Sequence, residues 1–284
     1  MNEIQLMPSI WVGTQAKAVT CFASSGDQQI WKYPTCINFA SPLIYFAHPL
    51  DIRKSHASFS GCSVPIYQKH QLLHIHIPKT GGTAIGRHFD DHGDAVWNVS
   101  GGYGVKLEHG RWFEYQHASL KEIHWLTNYK FAHYKSFAVV RHPIDRLISE
   151  FKWRKSIKSN NKDSFVISFD RFDDFLAAIP TDIDSQWNEL VTQAESHGQA
   201  NFLIHARPQY QHITNDWSCS EIDLLLRFEN LRRDFEAMID WHHETPTKIA
   251  TPKAADRSEF ISAKSARLIE KLYETDFELF YSRS

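Results

Sequence analysis

The strongest local signal in this chain is Leu72-Leu-His-Ile-His-Ile-Pro-Lys-Thr-Gly-Gly-Thr83, an apolar run that leads into a loop with two adjacent glycines. The apolar part is short and ends at Pro78, a pattern that is typical of a buried strand. Gly81 and Gly82 then open a helix that we expect to reach about Phe89. Because helix-start N–H groups and the helix dipole favour negative charge, this strand-loop-helix order predicts a site for an anion.

A second segment follows the same plan. Ser136-Phe-Ala-Val-Val-Arg141 predicts a strand, and Pro143 suits the first turn of the helix that comes next. Apolar residues at helical spacing predict the core face of that helix, namely Ile144, Leu147, Ile148 and Phe151. The same spacing predicts that Asp145, Arg146 and Ser149 point away from the core.

The rest of the chain predicts more elements of the same kind. A third strand is expected at residues 224–228, followed by a helix, and further helices are expected at 172–179, around 187–194 and from about residue 262. Apolar runs that alternate with amphipathic stretches favour an α/β fold, with a P-loop-like parallel β-sheet flanked by helices. This alternation begins at Gln71, so we expect an N-terminal extension of unknown role at 1–70 and one domain at 71–284.

Composition limits the classes of function. Lys and Arg total 31 against 33 Asp and Glu, a net charge of -2, so no overall basic field points to nucleic acid or a membrane surface. The cysteines, Cys21, Cys36, Cys62 and Cys219, have no CxxC spacing, which favours reduced thiols, with a bridge among the first three left open. No N-terminal stretch has the pattern of a signal peptide or a membrane span, so the expected compartment is the cytoplasm.

The position of the lysine separates this loop from a nucleoside-triphosphate loop. There the lysine follows the glycines, whereas here Lys79 precedes them. The nearest acidic partner for Mg²⁺ is Glu229, in Arg227-Phe-Glu, which does not end a hydrophobic run in aspartate. A P-loop kinase or ATPase therefore stays the alternative rather than the leading hypothesis.

Two motifs together resemble a known family. The first, Leu73-His-Ile-His-Ile-Pro-Lys-Thr-Gly-Gly-Thr83, is similar to the 5′-phosphosulfate-binding motif of the carbohydrate sulfotransferases that use 3′-phosphoadenosine 5′-phosphosulfate (PAPS). This Golgi-type group includes the heparan sulfate 2-O-sulfotransferases. The second, Phe137-Ala-Val-Val-Arg-His-Pro-Ile-Asp-Arg-Leu-Ile-Ser-Glu-Phe151, resembles the 3′-phosphate-binding motif of that family. Weaker likenesses lie at 116–119, 207–209, 227–231 and 273–280, so the resemblance covers roughly residues 71–284.

The resemblance implies a sulfotransferase fold and a set of cofactor-binding residues. It assigns the 5′-phosphosulfate to Lys79, Thr80, Gly81, Gly82 and Thr83, and the 3′-phosphate to Arg141 and Ser149. Lys79 would also neutralise the oxygen between phosphorus and sulfur as the product, 3′-phosphoadenosine 5′-phosphate (PAP), departs. The transfer requires no metal. A non-catalytic PAP-binding relic is the second alternative.

An acceptor hydroxyl needs a general base, for which His is well suited near neutral pH. The family places a His between the two phosphate motifs, and His117 fits that position, with His109 and His133 in reserve. Some relatives carry a second His where Tyr115 stands here. His74 and His76 share one strand face, but no third ligand at a recognisable spacing accompanies them, so no metal site is expected.

The acceptor is implied to be a carbohydrate. Basic residues after the second motif are interleaved with Trp153 and could grip an anionic glycan by charge and ring stacking; they are Lys152, Arg154, Lys155, Lys158 and Lys162. A solvated basic helix end explains the same residues equally well. Nothing in the sequence indicates an oligomeric state.

Overall fold

The computed structural model describes residues 63–94, 97–98, 105–106, 110–160, 166–214, 222–240, 257 and 259–282. The strands are Ser63–Val64 (β1), Ile66–Tyr67 (β2), Leu72–Ile75 (β3), Trp97–Asn98 (β4), Val105–Lys106 (β5), Trp112–Phe113 (β6), Lys135–Val140 (β7) and Leu224–Arg227 (β8). The helices are Gly82–Asp91 (α1), Leu120–Leu126 (α2), Pro143–Asn160 (α3), Phe172–Ala177 (α4), Ile183–Gln193 (α5), His197–Ala206 (α6), Tyr210–Ile213 (α7), Leu231–Asp240 (α8), Ala263–Leu272 (α9) and Glu274–Tyr281 (α10).

The main sheet has the strand order β2-β3-β7-β8. β3 runs parallel to β7, and β7 runs parallel to β8, whereas β2 pairs antiparallel with β3. The central strand β7 is buried from Ser136 to Val140, as its unbroken apolar run requires when both faces of a sheet are covered. The predicted α/β fold with a parallel sheet flanked by helices is confirmed.

Alternate residues of each strand face opposite sides of the sheet. Leu72 packs in one apolar cluster with Phe89 of α1 and Phe235 of α8. Leu73, on the other face, packs with Ile123 of α2 and Phe280 of α10. A third cluster lies among α3, α4, α5, α6 and α9.

The parallel strands place three loops at one edge of the sheet. β3, β7 and β8 end there at Ile75, Val140 and Arg227, and each strand is followed by a loop and a helix start. In open α/β sheets, ligands bind outside the carboxyl ends of the strands. This edge is therefore where a site is expected.

The helix α3 confirms one expectation and corrects another. Its predicted core face is buried at all four positions. Arg146, expected to point outward, is only 1% exposed, and its Nη1 and Nη2 donate to the carbonyl oxygens of His205 (2.9 Å) and Arg207 (3.0 Å). Asp145 is also buried and pairs with Arg257. The end of α6 covers this side of α3, so the helix has two buried faces.

Residues upstream of Gln71 also join the sheet. Ile66 and Tyr67 of β2 pair with Leu73 and Leu72, so the sheet extends beyond the boundary that the sequence predicts.

Residues 1–62, all four cysteines, His109 and Lys162 lie outside the described residues. None of the helices in the described part of the chain combines the length and the apolar character needed to span a membrane.

Candidate active site

The loop after β3 has an unusual backbone. Lys79 has a φ of 67° and Gly81 a φ of 97°, both in the left-handed region, which a non-glycine residue rarely occupies. Gly81 is the N-cap of α1 and makes no side-chain cap, so the first N–H groups of the helix are not used by a capping side chain. Such a helix start is suited to an anion.

Thr80 and Thr83 contribute differently to this loop. The Thr80 hydroxyl donates to the carbonyl oxygen of Ile77 at 2.8 Å, and its residue is fully buried. Its side chain therefore holds the loop in shape, and only its backbone N–H remains for a ligand. The side chain of Thr83 is exposed on the first turn of α1.

A buried histidine lies directly beneath the glycines. A Cβ added to Gly82 would lie 2.0 Å from His76 Nε2, and nothing that close can be accommodated without a shift of the imidazole. His76 Nδ1 lies 3.2 Å from the Gln116 amide nitrogen. Only glycine therefore fits at position 82, because the start of α1 packs directly against the His76 ring.

This packing yields a prediction with a matched control. Gly82→Ala should destabilise the protein by about 1–3 kcal/mol, because the added methyl overpacks against His76. Gly86→Ala lies in the same helix, where an added Cβ meets nothing within 4 Å, and should stabilise by about 0.5–1 kcal/mol. Thermal unfolding of both variants checks this, and a Gly82→Ala protein as stable as the wild type contradicts it.

Arg141 of the second predicted motif contacts the loop of the first motif. Arg141 follows β7, and its Nη1 donates to the carbonyl oxygen of Lys79 at 3.1 Å. Its guanidinium lies 4.1 Å from the centre of the Phe228 ring, so all three loops at the sheet edge meet at this side chain. Burial lowers the pKa of Arg141, but a guanidinium remains charged near neutral pH. Arg141 Nε is buried without a hydrogen-bond partner among the described residues.

Two of the weaker sequence likenesses position Arg141. The Gln209 side chain accepts from the Arg141 backbone N–H and donates to the Arg141 carbonyl oxygen, each at 2.9 Å. Asp276 accepts from the backbone N–H groups of Gln209 and Tyr210, also at 2.9 Å. Ser149 is half-buried on α3 and makes no hydrogen bond to Lys79 or Arg141 among the described residues.

His117 is held in one tautomer. It ends a 3₁₀ turn at Tyr115–His117, and its Nδ1 lies 2.9 Å from the carbonyl oxygen of His76. A carbonyl oxygen can only accept, so Nδ1 carries the hydrogen and Nε2 keeps its lone pair. Burial, and then the neighbouring His205, lower the pKa of His117 to about 4, so the ring is neutral at pH 7.

The reserve base His133, and the positions Tyr115 and His74 that the sequence analysis also considered, have other surroundings. His133 is exposed, and its ring packs edge-on to Tyr134 at 4.7 Å. Tyr115, at the place of the second His of some relatives, is buried in an apolar cluster and packs edge-on to Phe113 at 5.2 Å. His74 lies flat against Phe137 at 4.6 Å, and burial lowers its pKa to about 3.

His205 was not anticipated from the sequence. Its ring lies 4.8 Å from that of His117, nearly perpendicular to it, and stacks on Trp153 at 5.2 Å. Its Nδ1 is 3.0 Å from Glu150 Oε2. With 17 histidines in the chain, no spacing singled this one out.

Trp153 connects this histidine to the loop. Lys79 Nζ lies 4.8 Å from the centre of the Trp153 ring, within range of a cation–π interaction. Burial lowers the pKa of Lys79, and the Glu150 carboxylate opposes that shift. Burial alone would raise the pKa of Glu150, but His205 and Arg154 together outweigh it, so the pKa is lowered and Glu150 is an anion.

The prediction that Arg154 contacts an anionic glycan is wrong. This residue is fully buried, and its Nε lies 2.6 Å from Glu150 Oε1. Its Nη2 also donates to Asn201 Oδ1 at 3.0 Å. Lys152 and Lys155 are exposed on α3, whereas the side chain of Lys158 lies outside the described residues.

The Glu229 carboxylate accepts hydrogen bonds from two other segments of the chain. Its Oε1 accepts from the backbone N–H of His142 at 2.7 Å, and its Oε2 accepts from the Tyr281 hydroxyl at 3.1 Å. The acidic side chain that came nearest to a Mg²⁺ partner in the sequence thus joins the loop after β7 to α10. This arrangement weakens the kinase or ATPase alternative.

Comparison with known proteins gives one match. A family model described as "Sulfotransferase family" matches residues 65–282, which is more than half of the chain. The matched residues include both strand-to-helix loops, His117 and His205. No curated protein and no solved structure matches the chain.

Proposed function

The chain belongs to the sulfotransferase family, and we propose that it transfers the sulfuryl group of PAPS to a hydroxyl group of an acceptor, in particular a carbohydrate. Membership of the family supports sulfuryl transfer.

The observation that carries the proposal is the hydrogen bond from Arg141 to the carbonyl oxygen of Lys79. PAPS has anionic groups at two positions, a 5′-phosphosulfate and a 3′-phosphate. A site for it needs two neighbouring anion pockets, and this bond joins the two loops that would supply them. The free Nε of Arg141 supports a ligand at the second pocket, because a buried N–H donor without a partner is costly.

The residues present fit this division. The N–H groups at the start of α1, with Gly81 and Gly82 allowing close approach, and the ammonium group of Lys79 would hold the 5′ end. Thr80 would contribute its backbone and Thr83 its hydroxyl. Arg141 would hold the 3′-phosphate by paired N–H bonds, with Ser149 as a further hydroxyl donor.

His117 would act as the general base. Its neutral Nε2 accepts the proton of the acceptor hydroxyl as that oxygen forms a bond to sulfur. The bond between sulfur and the bridging oxygen breaks in the same displacement, and its electron pair leaves with PAP. Lys79 would stabilise the negative charge that develops on that oxygen, which is electrostatic catalysis by a preplaced cation. Trp153 packs against Lys79 and limits where its ammonium group can lie.

A binding experiment separates the alternatives. With PAP at about 100 times its Kd, thermal unfolding should show stabilisation by roughly 2.7 kcal/mol, whereas ATP with Mg²⁺ at the same concentration should have a far smaller effect. The reverse order would favour a kinase or ATPase. No shift with PAP would rule out both the proposed enzyme and a PAP-binding relic.

A further inference from the structure

We propose that Glu114, His117 and His205 form a binding site for a divalent transition-metal ion of the zinc class. All three side chains are buried, and one ligand atom from each lies within 4.8 Å of the others. Among the described residues this is the only such group of three. The strand pair His74 and His76, which the sequence analysis considered, is not part of it.

Each of the three side chains is oriented by a partner on its far side. The Nδ1 of His117 meets the carbonyl oxygen of His76 at 2.9 Å, and the Nδ1 of His205 meets the Glu150 carboxylate at 3.0 Å. The Oε1 of Glu114 accepts from Asn201 at 2.9 Å. Protein metal ligands are held in this way by outer hydrogen bonds, which fix the histidine tautomer and its orientation.

These outer bonds leave one atom on each residue that could bind an ion. They are His117 Nε2, His205 Nε2 and Glu114 Oε2, and the last two lie 3.9 Å apart. With bonds of ~2.1 Å to a tetrahedral ion, ligand atoms are roughly 3.4 Å apart. The Glu114–His205 pair must therefore close by about 0.5 Å, and a pair at the upper limit of 4.8 Å by about 1.4 Å, for an ion to bind.

The elements that carry the ligands are fixed in place. Glu114 is the N-cap of the 3₁₀ turn that ends at His117. The backbone N–H of His117 donates to the Glu114 carbonyl oxygen at 3.1 Å. Residues three apart on such a turn lie on the same side. His205 is near the end of α6, where Arg146 binds its carbonyl oxygen at 2.9 Å. The site thus needs little ordering when an ion binds.

The ligand chemistry selects the kind of ion. Two imidazole nitrogens and one carboxylate oxygen, with a fourth position left for water, are the ligands of a Zn²⁺ site of the open type. Mg²⁺ and Ca²⁺ prefer oxygen ligands only. The sulfuryl transfer proposed above does not depend on this ion.

One consequence rests on the proposed function. A bound ion takes the lone pair of His117 Nε2, which the transfer uses to accept a proton. Zn²⁺ should therefore inhibit the transfer reversibly, and a chelator should restore it. If Zn²⁺ binds without inhibiting, the metal site stands and the role of His117 as the base is contradicted.

Binding of the ion is tested on the full metal-free chain without PAPS. We expect Zn²⁺ to bind at one equivalent by calorimetry, and Co²⁺ to give visible bands of a four-coordinate site without a thiolate charge-transfer band. Glu114→Gln and His205→Asn should each weaken binding by at least about 100-fold. The asparagine amide can keep the bond to Glu150, which favours a folded protein, and circular dichroism checks both variants. His133→Gln, an exposed position, is the control and should bind as the wild type does.

The proposal is overturned if the wild type shows no saturable binding, or if the Co²⁺ spectrum shows thiolate ligands. It is equally overturned if a folded Glu114→Gln or His205→Asn protein binds Zn²⁺ as tightly as the wild type. If one variant fails to fold, the other variant and the Co²⁺ spectrum of the wild type decide.

Discussion

Replacing His117 with asparagine should lower kcat for sulfuryl transfer by roughly 10²–10⁴-fold, the usual contribution of a general base. Asparagine can donate from its amide to the carbonyl oxygen of His76, as His117 Nδ1 does at 2.9 Å, but it has no basic nitrogen. The variant therefore keeps the local structure and removes only proton transfer. PAP affinity and the melting temperature should stay close to those of the wild type.

The pH dependence gives a second readout of the same substitution. Burial and then His205 lower the pKa of His117 to about 4, so the free protein holds this ring neutral above that pH. Bound PAPS is anionic and favours the protonated ring, so the pKa in the complex should be higher. The kcat of the wild type should therefore fall as the pH falls through the pKa of His117 in the complex with PAPS. In His117→Asn this acidic limb should disappear from the kcat profile.

The control is His133→Asn, at an exposed position away from the site. It should leave both kcat and the pH profile unchanged. Wild-type kcat in a folded His117→Asn protein would show that another group accepts the proton. His205, whose ring lies 4.8 Å away, would then be tested next.

Replacing Lys79 with methionine should lower kcat by roughly 10²–10³-fold, comparable to the loss of one preplaced donor to a developing oxyanion. Methionine keeps an unbranched side chain that can pack against Trp153, where the ammonium group now lies 4.8 Å from the ring centre. Only the charge is removed. Single-turnover kinetics with labelled PAPS separate this effect on the chemical step from weaker binding of PAPS.

Lys271→Met is the matched control, since Lys271 is exposed in the last turn of α9. Its kcat should remain within about twofold of the wild type, because a solvated surface charge contributes little. If Lys79→Met binds PAPS more weakly but turns over bound PAPS at the wild-type rate, Lys79 contributes only to binding. That result would contradict its role in the departure of PAP.

The sheet and its helices could be predicted from the sequence where a periodic pattern was present. β3, β7 and β8 were expected within one or two residues of their observed bounds, because each is a short apolar run next to a turn. The core face of α3 was also predicted. The two-residue strand β2 was missed, since so short a strand has no detectable alternation.

The parts of the site that were missed depend on packing between distant segments. α6 has no clear polar face, because nearly all its residues are buried, and it was not predicted. This helix carries His205 and covers Arg146, which was expected outside the core. The burial of Arg154 could not be predicted: Glu150 is four residues away on the same helix, but nothing nearby along the chain indicates that Asn201 also encloses the guanidinium.

The most direct test of the central claim is transfer of labelled sulfuryl from PAPS to a panel of glycans. The account predicts label in at least one glycan, formed in equal amount with PAP and lost in His117→Asn and Lys79→Met. Binding of PAP with no label in any glycan would instead favour the PAP-binding relic. Turnover of ATP with Mg²⁺ in place of PAPS would contradict the account.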